Sequence, residues 1–386
     1  MREGWIDSAR GLAIILVVLF HAVINLDLVG LAGPWSRLAY TLDTFRMPLF
    51  FFLSGLLAPS LLARPLREVL RTRCLNLIYL YVLWCLLLGT FRTLLPHSPP
   101  GGVAAVARML IEPNVYLWFL YTLCLFTLVG WLTRRLPAWL VVGTALIVSA
   151  VFAAGLVSTG DVPWDKTFRY WFFFVLASRA APAVRSVVPR MRPAHVVGLG
   201  VTYAVVLGFF LYIADDRIIF VRPMLGLLAV AAGCGLGVMI ARVPALGFVR
   251  HLGTRTLPIY VVHAFPITAA AALLTGRDPS TSSGHRIDWP PGADLMAVPL
   301  LTLAAILLAL ALDRLITGRI RGIFDFPIAR WTAKRNLALA PPPPLVEPAS
   351  ASERCRDQHV PIRSRWERVG LDTPPPSGSG GSTSGG

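Results

Sequence analysis

Long apolar runs recur along the chain from Gly11 to Ile316, and short polar or arginine-bearing segments separate them. A helix needs about 20 mostly apolar residues to cross the hydrocarbon core of a bilayer. Only 15% of the residues are charged, whereas soluble domains carry about 25%. Runs of this length and apolarity are typical of membrane-spanning helices. The sequence therefore predicts an all-α, polytopic integral membrane bundle.

Ten segments have the length and composition of transmembrane helices, although the sixth is short. The sequence thus predicts a bundle of about ten membrane helices. The segments are Gly11–Val29, Met47–Leu62, Leu75–Phe91, Val115–Leu132, Trp139–Val157, Tyr170–Ala183, His195–Ile213, Ile218–Ile240, Leu257–Leu274 and Leu295–Ile316.

The positive charge fits this topology. The formal net charge is +16, almost all of it from arginine, with Lys166 and Lys334 as the two lysines. Arginines lie in short clusters between apolar runs and form no single basic face, which argues against nucleic-acid binding. With a cytoplasmic N-terminus, the inside segments up to Arg335 hold 21 Lys and Arg residues and the outside segments hold 10. The positive-inside rule then predicts that both termini are cytoplasmic.

The composition changes after residue 336. Pro341–Pro344 is a polyproline run, and Ser377–Gly386 contains only Gly, Ser and Thr. Such a segment cannot bury enough apolar surface to fold. We predict a membrane domain over residues 1–336 and a disordered Pro/Ser/Gly-rich cytoplasmic tail over residues 337–386. The five cysteines are scattered, so we expect no disulfide framework and no metal site.

The first apolar run contains ionisable residues, which are costly inside a membrane and often functional. Arg10 and His21 are eleven residues apart, so they share one helix face about 16 Å apart along the axis. Asn25 lies one turn beyond His21, and Asp7 is placed to hold the Arg10 guanidinium. This geometry puts His21 about mid-membrane, where it acts either in catalysis or as a polar contact between helices.

The segment Asp7–Ala13, followed by His21, resembles the opening of the acyltransferase 3 family of membrane acyltransferases, whose signature is an arginine, ten residues and a histidine. Three later segments, Met47–Gly55, Leu117–Leu120 and Leu257–His263, are similar to that family's later motifs and come in the same order. The resemblance covers about residues 3–325 and is nearest to the sugar O-acetylase branch, which includes fucose 4-O-acetylase-like proteins. Arg46 departs from it, because an uncharged residue or a histidine is expected there.

The resemblance implies transfer of an acyl group, with acetyl expected, from acyl-CoA to a hydroxyl of a carbohydrate, glycolipid or glycosylated small molecule. Arginines suit the phosphates of acyl-CoA, which they bind through charge-assisted and often bidentate bonds. Arg10, Arg71 and Arg73 are therefore expected to bind the co-substrate. Arg10 and His21 are the expected catalytic residues, with a neutral His21 imidazole taking the proton of the attacking hydroxyl.

Five further residues are expected to contact the substrate or support the catalytic pair: Asp7, Asn25, Trp118, Tyr260 and His263. Each also has a structural interpretation. Tyr260 lies three residues before His263 on the same helix face, as a packing pair would. Trp118 lies at a helix end where aromatic belts are usual. The Met47–Phe52 stretch indicates a lipid-facing or packing surface.

Two other classes of protein remain open at this point. A secondary transporter or glycan exporter also has about ten helices and a few intramembrane polar groups, often on Pro-broken helices in two related halves. Prolines interrupt several segments here, but the halves show no convincing correspondence. A lipid-sensing or scaffold protein is the weaker alternative.

The arginine distribution makes the topology testable by cysteine-accessibility labelling of single-cysteine variants. With both termini cytoplasmic, positions near Pro99 and Ser282 should react with an impermeant reagent from outside, and positions near Ala138 should be protected. Labelling near Ala138 from outside would overturn this topology.

Overall fold

The computed structural model describes residues 3–95, 108, 112–213, 220–275, 289–317, 319 and 322–324; the predicted tail over 337–386 lies outside them. The described elements are all helical. In chain order they are α1 (Gly4–Asp27), α2 (Trp35–Thr41), α3 (Asp43–Leu56), α4 (Pro59–Leu62), α5 (Leu66–Val69), a π-helical turn (Leu70–Cys74), α6 (Leu75–Thr93), α7 (Trp118–Leu132), α8 (Ala138–Ala153), α9 (Val162–Val187), α10 (Pro193–Ile213), α11 (Val221–Arg242), α12 (Gly247–Thr254), α13 (Thr256–Val262), α14 (Ala264–Thr275) and α15 (Ala293–Ile316), with single 3₁₀ turns at Val188–Arg190 and Pro244–Leu246.

Seven helical segments in the described chain are long and apolar enough to cross a membrane. Two further apolar helices, α7 and α8, are shorter. The prediction of an all-α polytopic membrane protein is confirmed, while the count of about ten spans and the cytoplasmic termini stay predictions. The seven segments are Gly4–Asp27, Leu66–Thr93, Val162–Arg190, Pro193–Phe210, Val221–Arg242, Thr256–Leu274 and Ala293–Ile316.

Helix α1 lies at the centre of the bundle, where it packs against α3, α11, α12 and α15 and also contacts α2, α13 and α14. Its small residues Ala9, Ala13 and Ala22 are completely buried. In a membrane, small residues let helix backbones approach closely, and that close packing drives association. The position of His21 is therefore fixed by several neighbouring helices at once.

Helix α3 carries the aromatic stretch that the sequence assigns to packing or to a lipid-facing surface. The structure shows packing: Leu49 and Phe51 are completely buried. The Phe51 ring lies 4.8 Å from that of Phe119 and 5.1 Å from that of Phe126, centroid to centroid. Edge and tilted aromatic contacts of this kind stabilise beyond their buried area.

The predicted span Leu257–Leu274 is interrupted at His263, where α13 ends and α14 begins. Proline has no N–H and cannot close the helical bond to the residue four positions before it. Pro266, three residues after His263, therefore weakens the ladder at this point. The His263 side chain sits at the junction between the two helices.

Two glycines set the close approach of α1 to α12. A Cβ added to Gly11 would collide with the backbone carbonyl of Val249, and one added to Gly253 would collide with the backbone carbonyl of Asp7. Neither neighbour is a flexible side-chain tip, so any relief has to move a helix backbone. The absence of a side chain at these two positions is a requirement of the packing.

We therefore predict that Gly11→Ala and Gly253→Ala each lower the thermal unfolding temperature of the purified protein, because overpacking typically costs about 1–3 kcal/mol. Gly143→Ala is the matched control. Gly143 lies within α8, and a Cβ there meets nothing within 4 Å, so this variant should unfold at or above the wild-type temperature. Equal unfolding temperatures for all three variants would contradict the packing interpretation.

Candidate active site

Two buried histidines from distant parts of the chain meet beside α1. The ring centroids of His21 and His263 are 5.0 Å apart, and the Tyr116 ring lies 4.9 Å from His21. His263 is completely buried, and His21 is 6% exposed. The structure therefore joins two residues that the sequence singled out separately.

Hydrogen bonds hold in place the part of this cluster that lies on α1. The Asn25 side-chain amide donates to the His21 backbone carbonyl at 2.8 Å, and the Tyr116 hydroxyl donates to the Asn25 amide oxygen at 3.1 Å. Asn25 thus holds Tyr116 against the histidine ring. Asn25 therefore positions Tyr116, while its own side chain bonds the His21 backbone and not the imidazole.

The second histidine is oriented by its own helix. Its Nδ1 lies 2.6 Å from the backbone carbonyl of Tyr260. Because a carbonyl can only accept, Nδ1 carries a proton, and Nε2 is the acceptor in the neutral ring. The Tyr260 hydroxyl accepts from the backbone N–H of Phe119 at 3.2 Å. This bond ties α13 to the start of α7.

Polar atoms in the cluster are left without partners. Across the described part of the chain, His21 Nδ1 and His263 Nε2 are buried and have no hydrogen-bond partner. An unsatisfied buried polar atom costs about 1–3 kcal/mol. Such atoms are rare in folded proteins, so each needs an explanation. A bound substrate that supplies the missing hydrogen-bond partner is one such explanation.

His21 lines a pocket of about 480 Å³, its open mouth included. Trp118, expected at an aromatic belt, is instead buried and forms part of the wall. A larger outer pocket, of about 1390 Å³ with its open mouth included, shares Phe20 and Lys166 with the first. The complete lining of the inner pocket is Val17, Phe20, His21, Arg46, Met47, Phe50, Val115, Tyr116, Trp118, Phe119, Lys166 and Tyr260.

Arg46 is a site residue that the sequence reasoning recorded only as a departure from the family pattern. It is 3% exposed, and its Nη2 lies 2.7 Å from Asp43 Oδ1. Its guanidinium carbon sits 3.3 Å from the centroid of the Phe20 ring, in a cation–π contact. The Tyr170 hydroxyl donates to the other Asp43 oxygen at 3.0 Å. The i, i+3 spacing of Asp43 and Arg46 is the signal that would have revealed this pair.

Lys166 is the second site residue missed from the sequence. It lines both pockets, and its Nζ lies 5.9 Å from the Phe20 ring centroid. The predicted sixth span begins at Tyr170, so the sequence places Lys166 outside it. In the structure α9 begins at Val162, so the lysine lies within its first turns. These turns carry Asp165, Lys166 and Arg169, and hydropathy therefore gives no signal for them.

Arg10 lies toward the opposite end of α1. Its Nη2 donates to the Thr256 hydroxyl at 3.0 Å, which joins α1 to the start of α13. Asp7, one turn earlier, is buried.

Arg71 and Arg73 lie elsewhere, on the π-helical turn between α5 and α6. Arg71 is exposed and Arg73 is partly buried. The turn packs on α5, α6 and α7. π-helical turns are frequent at functional sites, and the binding of acyl-CoA by these two arginines stays a prediction. The structure brings His21, Asn25, Trp118, Tyr260 and His263 to one cluster, with Arg10 and Asp7 farther along α1.

In the residues that the structure describes, no group of three or more His, Cys, Asp or Glu side chains has the arrangement of a metal site. The cluster offers an imidazole with an unbonded nitrogen, aromatic walls, and the cations of Arg46 and Lys166 on the wall of the pocket. These features suit proton transfer from a polar substrate held in a largely apolar pocket.

Together the helices and the buried histidines define a multi-pass membrane protein with a polar site on its central helix. The sequence profile of the acyltransferase domain matches residues 3–314. The chain therefore belongs to this acyltransferase 3 family.

Among curated proteins, the chain is similar to the inner membrane protein YcfT of Escherichia coli (strain K12). The two are 28% identical over 192 residues, which are 42% of this chain and 51% of the relative. The chain therefore matches about half the length of that relative. No solved structure matches the chain significantly.

The Asp43–Arg46 pair yields a stability prediction. Asp43→Asn keeps the shape but leaves a buried guanidinium without its counter-ion, and breaking a buried pair typically costs about 3–5 kcal/mol. We expect a clear drop in the unfolding temperature of the detergent-purified protein.

The matched control is Glu68→Gln. It breaks the Arg64–Glu68 pair, whose side chains are 50% and 46% exposed. An exposed pair is worth about 0–1 kcal/mol, so this variant should unfold close to wild type. An equal effect of both substitutions would show that Asp43 does not neutralise Arg46.

Proposed function

We propose that this protein is an O-acyltransferase that moves an acyl group, with acetyl expected, from acyl-CoA to a hydroxyl of a carbohydrate, glycolipid or glycosylated small molecule. The observation that carries the proposal is the buried His21, which lines a pocket and keeps one ring nitrogen without a partner among the described residues. The family supplies the class of reaction; the donor, the acceptor and the sugar O-acetylase branch are our inference.

The proposed chemistry is general-base catalysis. The acceptor hydroxyl attacks the thioester carbonyl while His21 takes its proton. A new C–O bond forms, the C–S bond breaks, and the departing sulfur takes up the proton to leave as the CoA thiol. A neutral imidazole is suited to this step, because an uncompensated charge at this depth is expensive. A covalent acyl-histidine step is an alternative that no residue contact favours.

The donor is proposed to bind at the Arg10 end of α1. Arg10 and His21 share a face of α1 about 16 Å apart, so a bound acyl-CoA has room to place its phosphates near the arginine and its thioester near the histidine. Arg71 and Arg73 are the further candidates for the phosphates. The orientation implies that donor and acceptor approach His21 from different ends of α1.

The acceptor is proposed to occupy the two pockets beyond His21. Aromatic walls with a few convergent polar groups are typical of small-molecule sites. Trp118, Tyr116 and Tyr260 supply the aromatic walls of the inner pocket. The volume of the outer pocket leaves room for a sugar-sized group whose hydroxyl reaches inward.

The decisive variant is His21→Gln, which keeps polarity and approximate size but cannot act as a base. General-base catalysis typically contributes about 10²–10⁴-fold. Turnover of acyl-CoA with acceptor should therefore fall by about that factor, and His21→Ala should be similar. The measurements are transfer by the purified protein and mass spectrometry of envelope glycans and lipids from cells with and without the gene.

Arg10→Ala is the contrasting variant. It should raise the KM for acyl-CoA, and Arg10→Lys should restore only part of the affinity, since a lysine cannot bind bidentately. Wild-type acyl-CoA kinetics in Arg10→Ala would rule out a role of Arg10 in binding the donor.

Two outcomes would contradict the proposed chemistry. Substantial transfer by membrane-inserted His21→Gln would rule out His21 as the base. Transport of a glycan by reconstituted protein that transfers no acyl group would instead favour the exporter alternative.

A further inference from the structure

We propose that the acceptor carries an oxyanion, a carboxylate or a phosphate, and that Arg46 and Lys166 bind it beside His21. This inference rests on the proposed acyl transfer and names the chemical class of its acceptor. Its basis is two cations on the wall of the inner pocket whose positive charge the described protein does not fully neutralise.

Arg46 has one guanidinium nitrogen available for a further hydrogen bond. Its Nη2 is held by Asp43, but its Nη1 is buried and has no partner within the described chain. Asp43 is itself shared with the Tyr170 hydroxyl. A guanidinium presents its N–H groups as a planar fork that matches two oxygens of a carboxylate or phosphate. Asp43 thus positions Arg46 and leaves the other arm for a ligand.

Lys166 faces the same region without a direct ion pair. Asp43, which already binds Arg46, is the nearby acidic group that attracts its ammonium. No carboxylate of the described residues lies within 4.0 Å of its Nζ, which lies 5.9 Å from the centroid of the Phe20 ring. It lines the inner and the outer pocket. A cation is expensive to hold in a partly buried site within a membrane helix unless something compensates it. An anionic ligand at the junction of the two pockets would provide that compensation.

The outer pocket extends the positive field. Arg37 also lines it, and Asp43 is the acidic residue among the described lining groups. Clefts lined by one sign of charge raise the local concentration of an oppositely charged substrate. The pocket therefore favours an anionic acceptor over a neutral one before the hydroxyl reaches His21.

These cations are placed differently from those proposed for the donor. Phe20, the wall between the pockets, comes ten residues after Arg10, which is about 15 Å along α1. Arg10 contacts Thr256, whereas Lys166 and Arg46 contact the ring of Phe20. The anion at Lys166 is therefore assigned to the acceptor, with the phosphates of acyl-CoA at the Arg10 end.

The first test identifies the natural product. Envelope glycans and lipids from cells expressing wild type or His21→Gln are compared by mass spectrometry for species that lose an acyl mass. The inference requires the lost species to contain a carboxylate or a phosphate; phosphatase treatment and carboxyl methylation distinguish these two. An uncharged product overturns the inference and leaves acyl transfer standing, whereas no lost acyl species at all counts against the proposed function itself.

The second test uses the identified acceptor with purified enzyme. Lys166→Gln should raise the KM for the acceptor about 10- to 100-fold, as expected for a lost hydrogen bond to a charged group, and leave the KM for acyl-CoA unchanged. Lys166→Arg should recover much of the loss, because it keeps the charge.

Arg179→Gln is the control for removing a cation from the same helix. Its guanidinium donates to the carbonyls of Thr133 and Leu136, and it is not part of either pocket lining, so the acceptor KM should stay at the wild-type value. An unchanged acceptor KM in Lys166→Gln overturns the role of Lys166. A rise confined to the KM for acyl-CoA would place the donor at this site and overturn the acceptor assignment.

Discussion

The close contact between α1 and α12 is the constraint on which the rest of the site depends. Gly11 and Gly253 let each backbone lie against a carbonyl of the other helix, and α12 leads directly into α13, which ends at His263. In lipid, where apolar surface gives little drive for association, such backbone proximity supplies the packing energy. The meeting of His21 and His263 follows from that approach, because both residues lie farther along the same two chain segments.

Much of the architecture was predictable because membrane-spanning segments can be recognised from the hydrophobicity of the sequence alone. The all-helical class and the first span followed from apolar length alone. The interruption at His263 did not, since Pro266 signals a weak point without saying whether the helix bends or breaks. Trp118 shows the same limit: a tryptophan at a helix end has one sequence pattern whether it faces lipid or, as here, the interior.

Helical spacing predicts relative positions for residues on one helix. It places Arg10, His21 and Asn25 on one side of α1, and in the structure the Asn25 amide bonds the His21 backbone carbonyl. The convergence of His21 with Tyr116 and His263 depends on tertiary packing, which spacing cannot supply. Lys166 and Arg46 were missed for a further reason: charged residues near span boundaries are normally read as topology signals, and that interpretation conceals the ones that turn inward.

Phe20 and His21 are adjacent in the chain, yet Phe20 forms the wall between two pockets and His21 lines only the inner one. Under the proposed mechanism, the wall that an acceptor must pass and the base that activates it thus lie in one turn of one helix. A shift or rotation of α1 that adapts the barrier to a new acceptor also displaces the base. Under that mechanism, divergence toward other acceptors is constrained to the outer rim on α2 and α10, whose lining residues lie outside the inner pocket and can change while the geometry of proton transfer is preserved.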